Sequence, residues 1–447
     1  MNTLIITLAL LFSGRLANAP AWQRLPRSTE AKVDNIINTA IADSVFRGAV
    51  VCVVQDDKIA FCRSYGNRLV IPEPDKMKRS TIFDLASNSK VVSTTIAAMQ
   101  LVEKGKLDLD APVKQYIKDY RPFISQPSKR PKKGEVFVPD TVDIKVRDLL
   151  YHVSGLPAYR NANRLARVAG HESPSVLKKY ITKDATRLNR PGTKYRYSCL
   201  GFISLQMIIE AVTKQKLCDY AARNIFSRLG MGDTRYFPDG ADEYLLDRIA
   251  PTETFWGGKP WHEGCDKDRD GEWTMVHGMV HDALASRYMN GNSGNAGVFS
   301  TADDLAVFCA ALMNGGALYR QDNGTLGKER SKKECRILKP ETIELMCTPD
   351  SLSGRVMGWD RDSKDCELPG SIWDRGDILC HTGFTGPSIV INRRTRTAVI
   401  LLCSRLHPEN RGGLRRKHAM LGDVRSEISD AVAAGVEARK PYQTQIK

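Results

Sequence analysis

Apolar, β-rich runs sit toward both ends of this chain and helical material fills the middle, a distribution that few folds accommodate. Gly48 to Val54 and Ile59 to Tyr65 flank Asp56-Asp57, a turn-forming pair, and read as a hairpin. Ile378 to His381, Pro387 to Ile391 and Thr397 to Leu402 have the same strand character far along the chain. Between them helical spacing prevails: Val91 to Val102, Lys145 to Tyr151, Ser175 to Ile181, Leu200 to Thr213, Cys218 to Leu229 and Ala302 to Met313. Val33, Ile36, Ile37, Ala40 and Ile41 mark a short amphipathic helix before the first strand, and Val424 to Val436 a helix after the last. The expected class is α/β in the α+β sense: one antiparallel sheet assembled from the N- and C-terminal halves, flanked by helices and holding a mostly helical inserted subdomain. The body is expected over 30–440, with its α/β part over about 30–106 and 290–440 and its helical part over about 107–289.

With 447 residues the chain exceeds the usual size of one core, and it can bury a site. Sixty-six Lys plus Arg against 51 Asp plus Glu give a net charge of +15. The densest basic runs, Lys129 to Lys133 and Lys328 to Lys333, lie among Pro, Gly and Asn without interleaved aromatics, so they read as solvated loops and not as a nucleic-acid surface. An acidic polymer such as cell-wall material stays open as a partner. No interior stretch has the apolar length of a membrane span.

Leu4 to Phe12 followed by Ala17-Asn18-Ala19 resembles a secretory signal over residues 1–19, although no Lys or Arg precedes the apolar run and Pro20 follows the cleavage position. The expected location is secreted or periplasmic, with a membrane anchor or an intracellular protein as alternatives. Eleven cysteines, an odd number with no Cys-x-x-Cys, give no sign of zinc or another metal and argue mildly against a strongly oxidising compartment. Neither metal nor cofactor is expected.

The sharpest motif is Phe83-Asp84-Leu85-Ala86-Ser87-Asn88-Ser89-Lys90, just ahead of the helical Val91 to Val102. Residues three apart share a helix face, so Lys90 reaches the Ser87 hydroxyl. Serine is a weak nucleophile until a base takes its proton, and lysine serves as that base if its surroundings lower a pKa of about 10.4. A helix N-terminus would help on both counts. Pro191-Gly192-Thr193-Lys194-Tyr195-Arg196-Tyr197-Ser198-Cys199 is a turn leading into an apolar helix, and its Tyr197 phenol is placed to move protons. Cys380-His381-Thr382-Gly383 ends a strand whose backbone N–H groups, with the Ser87 amide, form an oxyanion hole. His381 and Thr382 would offer a positive or polar partner to a substrate carboxylate.

Taken alone, Ser-x-x-Lys occurs widely by chance. Here Ser87-x-x-Lys90, the Tyr197 loop and His381-Thr382-Gly383 come in the order and wide spacing of the serine β-lactamase superfamily, which includes class C β-lactamases, penicillin-binding DD-peptidases and related esterases. Asp148-Leu149-Leu150-Tyr151-His152-Val153-Ser154-Gly155-Leu156-Pro157 resembles that family's segment from Asp-Leu-Leu through His-x-Ser-Gly-Leu. Gly294-Asn295-Ala296-Gly297-Val298-Phe299-Ser300-Thr301 is similar to its Gly-His-Ala-Gly-Leu-Phe-Ser-Thr run. The resemblance spans about 30–435 and implies acyl transfer: Ser87 attacks a carbonyl, Lys90 and Tyr197 share the proton traffic, and water releases the acyl-enzyme. The implied substrate is a small molecule or peptide, as an ester, an amide, a D-alanyl peptide or a β-lactam.

Two positions depart from the family pattern. Its loop usually reads Tyr-x-Asn, and here Cys199 removes the amide that commonly contacts substrate and lysine; its third motif often begins with Lys, and here begins with His381. An active hydrolase and a lapsed, ligand-binding member are therefore both on the table, with the intact Ser87, Lys90 and Tyr197 favouring activity. His152, Ser154 and His281-Asp282 read as loop-orienting residues, Cys199 as packing in preference to a reactive thiol, and Trp256, Trp261 and Trp359 either as core edge or as cleft lining.

Overall fold

The computed structural model describes residues 14–127, 138–238, 240–256, 266–267, 273–361, 363, 366, 368, 370, 373, 375–408 and 414–437. The Leu4 to Phe12 run, the Lys129 to Lys133 run and Trp261 lie outside the described residues. The main sheet is built from β1 (Gly48–Gln55), β2 (Lys58–Leu69), β3 (Asp75–Lys76), β4 (Ile378–Thr382), β5 (Ser388–Asn392) and β6 (Thr397–Cys403), in the spatial order β4-β5-β6-β1-β2-β3. All neighbours are antiparallel, and the two halves of the chain meet where Ala49 pairs with Cys403 and Gln55 with Thr397.

Central strands covered on both faces lose polar alternation, as Gly48-Ala-Val-Val-Cys-Val-Val shows by being buried throughout. Val50, Cys52 and Val54, with Ile400 and Leu402, point to one core; Ala49, Val51 and Val53, with Val399 and Leu401, point to the other. The second core is closed by α1 (Arg27–Ala42) and the last helix, Leu414–Glu437. The first is closed by α2 (Thr95–Glu103) and by the helix Ala302–Met313, every residue of which but Asp303 is buried. That core runs on into the intervening segment through Leu149, Leu150 and the helix α3 (Cys199–Thr213), whose Leu200, Phe202, Ile203, Leu205, Ile208 and Ile209 are all fully buried.

The segment between the two halves is helical as expected, but also holds a three-stranded sheet of Glu253–Trp256, Asp266–Lys267 and Trp273–Val276. Strands of two to four residues carry too little alternation to be read in a sequence. Before α1, Ala17 accepts from the Ile59 N–H at 2.9 Å and Ala19 donates to the Ile59 carbonyl at 2.8 Å, so the Ala17-Asn18-Ala19 stretch lies along β2. No helix among the described residues is long and apolar enough to cross a membrane.

Candidate active site

Ser87 lies in the helical turn Ala86–Asn88, which continues through one wide π turn, Lys90–Thr94, into α2. The approach is fixed from behind. Phe83–Asp84 pairs with Val298–Ser300, and the Leu85 N–H donates to the Val298 carbonyl at 2.9 Å. Ala86 has φ of 46°, a left-handed conformation that costs a residue with a Cβ and persists only where neighbours enforce it. Asp84 does so: its carboxylate accepts from the Ala86 N–H and the His281 N–H, each at 2.8 Å. Burial pushes the Asp84 carboxyl above the usual range, against the pull of those N–H groups.

Lys90 is fully buried. A lysine there needs partners, and Nζ donates to Ser87 Oγ at 3.0 Å and to the Asn295 carbonyl at 2.9 Å. It also faces the rings of Tyr197 at 5.0 Å and Phe202 at 5.8 Å. Burial works to deprotonate Lys90, but the neighbouring Cys199, Tyr197 and Asp282 side chains work the other way, and the net direction is upward. This corrects the expectation of a lysine depressed toward the neutral amine. The contact needed for proton transfer is in place, while the environment favours the cation.

Tyr197 is half-buried on the loop before α3, and its ring lies 4.4 Å from His152 and 6.1 Å from His381, centroid to centroid. His152 has φ of 59° and only 1% exposure; its Nδ1 accepts from the Ser198 N–H at 3.0 Å. Burial, then Arg355, Lys90 and His381, hold its pKa well below the usual histidine range, so a neutral ring orients the Tyr197 loop, in keeping with its sequence reading. Ser198 caps α3 by accepting from the Gly201 N–H, which leaves Cys199 at the first helical position beside Lys90. Burial pushes the Cys199 thiol up, against the pull of Lys90, so it is no thiolate nucleophile.

β4 is the edge of the main sheet, and its end abuts the Ser87 turn. A Cβ on Gly383 would stand 2.5 Å from the Leu85 carbonyl oxygen, which is why glycine holds this position. Asn88 Nδ2 donates to the Leu85 and Pro387 carbonyls at 3.3 Å, and Thr385 Oγ1 to the Asp84 carbonyl at 2.9 Å, tying the turn to the β4–β5 connection. Thr382 is half-buried at the strand end.

His381 is 4% exposed, and its Nδ1 lies 2.9 Å from the Thr382 carbonyl, which only accepts, so Nδ1 carries the proton. Burial, Arg355 and Lys90 push its pKa well below the usual range. The ring is neutral, and its buried Nε2 is a lone pair without a hydrogen-bond partner. Of the two roles expected for His381, positive or polar, a neutral ring fits the polar one. The buried cation behind Tyr197 is Arg355, 5.9 Å from that ring and paired with Asp360 at 2.5 Å.

The structure therefore brings Ser87, Lys90, Tyr197, Cys199, His381, Thr382 and Gly383 to one place. It adds Asn88, Thr385, Asn295 and Arg355; Asn88 and Asn295 lie inside motifs already singled out, whereas a lone arginine in a charge-rich chain carries no signal. His281 bonds Glu253 at 2.5 Å and Asp282 caps the Ala285 N–H, consistent with loop roles. Trp359 is fully buried and stacks on Phe308, so it belongs to the core and not to the cleft. Asp360, Cys366 and Cys380 form the one trio of close metal-type donors among the described residues, but the Asp360 carboxylate is taken up by Arg355, Ser363 and two backbone N–H groups.

An antiparallel sheet made from both ends of the chain, with a buried lysine on a serine hydroxyl and a tyrosine ring facing the lysine, defines a class: serine hydrolases that work without a Ser-His pair. Within it, the chain belongs to the beta-lactamase family, whose model matches residues 33–422. An N-acetylmuramyl-L-alanine amidase of Bacillus subtilis (strain 168) is 28% identical over 91% of this chain and 87% of its own length. A putative D-alanyl-D-alanine carboxypeptidase of Salmonella agona (strain SL483) is 26% identical over 84% of this chain and 82% of its own. Among solved structures, EstCE1, a hydrolase with promiscuous acyltransferase activity, superposes with a TM-score of 0.62 at 21% identity, covering 91% of this chain and 98% of that one. The chain is a β-lactamase-related serine hydrolase.

Proposed function

We propose that Ser87 is the acylated nucleophile and that the substrate is a neutral amide or ester, the peptide amides of cell-wall material being the leading case. The observation that carries the first part is the 3.0 Å contact between Lys90 Nζ and Ser87 Oγ, inside a cluster closed by Tyr197. Ser87 Oγ attacks the carbonyl carbon as Lys90, in its amine form, takes the hydroxyl proton; Tyr197 hands its proton to the leaving group and is reprotonated from Lys90. The new oxyanion meets the Ser87 amide and the backbone at the end of β4. Water then attacks the acyl-enzyme with the same two side chains reversing their parts. A lapsed, ligand-binding protein has no use for this arrangement.

The second part follows from His381. A neutral ring with an unpaired Nε2 welcomes a hydrogen-bond donor and gives a carboxylate no cation, which favours amides and esters over β-lactams and D-alanyl peptides with a free carboxylate. A muropeptide substrate fits the names of the amidase and carboxypeptidase relatives and calls for export, in line with the signal-like N-terminus. The bonds between Ala17, Ala19 and Ile59 favour a mature chain that keeps them, and sequencing the mature N-terminus tests this.

The deciding experiment treats the protein with a fluorophosphonate and a fluorescent penicillin and maps the adduct by mass spectrometry. Fluorophosphonate at Ser87 with little penicillin is expected. No adduct at Ser87 in folded protein would overturn the nucleophile, and rapid turnover of penicillin would overturn the substrate class.

A further inference from the structure

The amide that the family's Tyr-x-Asn loop carries at the position of Cys199 is absent here, yet an amide stands in the same cluster on another segment. Asn295 is 1% exposed, and its carbonyl accepts from Lys90 Nζ at 2.9 Å. Its side-chain Oδ1 takes the Ser293 hydroxyl at 2.7 Å, which fixes the amide plane. Its Nδ2 is buried without an aligned hydrogen-bond partner, and the side chain neighbours the Cys199 sulfur, itself beside Lys90. A buried amide whose N–H groups find no better acceptor than a thiol sulfur is poorly satisfied, so it calls for a reason in the site it faces. The sequence supplies a parallel: residue 295 falls where the resembling run reads Gly-His-Ala-Gly, so this chain departs from the family pattern at both 199 and 295, and the two departures touch.

We propose that Asn295 is a positioning residue that replaces the missing amide at 199, holding Lys90 against Ser87 through its carbonyl and completing the polar cluster with Nδ2. The proposal rests on Ser87 being the nucleophile. The Ser293 bond sets the Asn295 side chain, the side chain sets the backbone of the 294–296 turn, and that backbone carries the oxygen that Lys90 uses. A thiol at 199 leaves room for the amide to enter from the opposite side, which asparagine at 199 would take.

The test is a swap, read on the hydrolysis of p-nitrophenyl acetate and on the rate of fluorophosphonate labelling. Asn295→Ala is expected to lower kcat by about tenfold or more with KM changed by less than about twofold, the signature of lost positioning and not of lost binding. Adding Cys199→Asn to Asn295→Ala is expected to bring kcat back to within about threefold of the unaltered protein, because the amide then returns from the family's usual side. A merely structural asparagine would not be rescued in this way. Asn295→Ser, which keeps a small polar group in the turn, serves if the alanine variant does not fold. Unaltered kcat in a folded Asn295 variant overturns the proposal, as does a loss, of activity or of folding, that Cys199→Asn leaves unrepaired. Absence of label in the unaltered protein would instead condemn the Ser87 reading, so the two failures are told apart.

Discussion

Lys90 has three N–H bonds to place and no water to place them in. One goes to Ser87 Oγ and one to the Asn295 carbonyl, leaving the third toward the Tyr197 side of the cluster. In the proposed mechanism Lys90, so held, takes the serine proton as the amine, and the tyrosine completes the relay. Lys90→Ala and Tyr197→Phe are each expected to lower turnover by about 10² or more, the scale of general acid–base contributions, in steady-state assays on a p-nitrophenyl ester. Near-normal rates in either variant would remove that residue from the chemistry. Gly383 acts by having no side chain. Gly383→Ala would set a methyl against the Leu85 carbonyl and push the edge strand away from the Ser87 turn, so kcat is expected to fall by about 10², as for an ångström-scale misplacement. A kcat within about twofold of the unaltered protein would show that the strand end does not form the oxyanion site.

Short ties between elements make the frame that holds these residues. His407, just past β6, accepts the Val70 N–H on Nε2 at 3.2 Å and therefore donates from Nδ1 to Thr254, joining the end of β2 to the small sheet. Burial, with His277, Arg47 and Arg68, lowers its pKa to about 3, against about 6.5 in the unfolded chain. A folded pKa below the unfolded one means stability present above about pH 6.5 and lost as pH falls toward 3. His407→Gln is expected to flatten that fall, as read from urea unfolding at pH 7, 5.5 and 4; an unchanged slope would refute the assignment. Among the elements, the helix Ala302–Met313 is legible to the residue because Thr301 caps it and Gly315-Gly316 follow it. α1 starts earlier than its apolar spacing shows, since Arg27 to Lys32 is polar apart from Ala31 and only the preceding Pro26 marks the start.

At the scale of the molecule, strands from opposite ends of the chain meet in the middle of one sheet, β6 lying between β5 and β1. A chain stopped at residue 377 would lose β4, β5 and β6 and leave β1 with an open edge and two bared core faces. Such a chain is expected to show no cooperative thermal transition by circular dichroism; a sharp transition would mean that the N-terminal part folds by itself. Distance along the chain also set what could be read in advance. Ser87, Lys90, Tyr197 and His381 stand in local motifs whose order is informative. The roles of Asn295 and Arg355 exist only through contacts across more than a hundred residues, and the neutrality of His381 only through its burial, so no window of sequence displays them.

The close approach of Gly383 to the Leu85 carbonyl sets a schedule. As the chain is synthesised, Ser87, Lys90 and Tyr197 are all made long before Gly383 and β6, and folding begins from the N-terminal side. Until those strands arrive, the serine has neither the facing strand end nor the closed sheet behind it, so a nascent chain is expected to gain activity only when its two ends are joined.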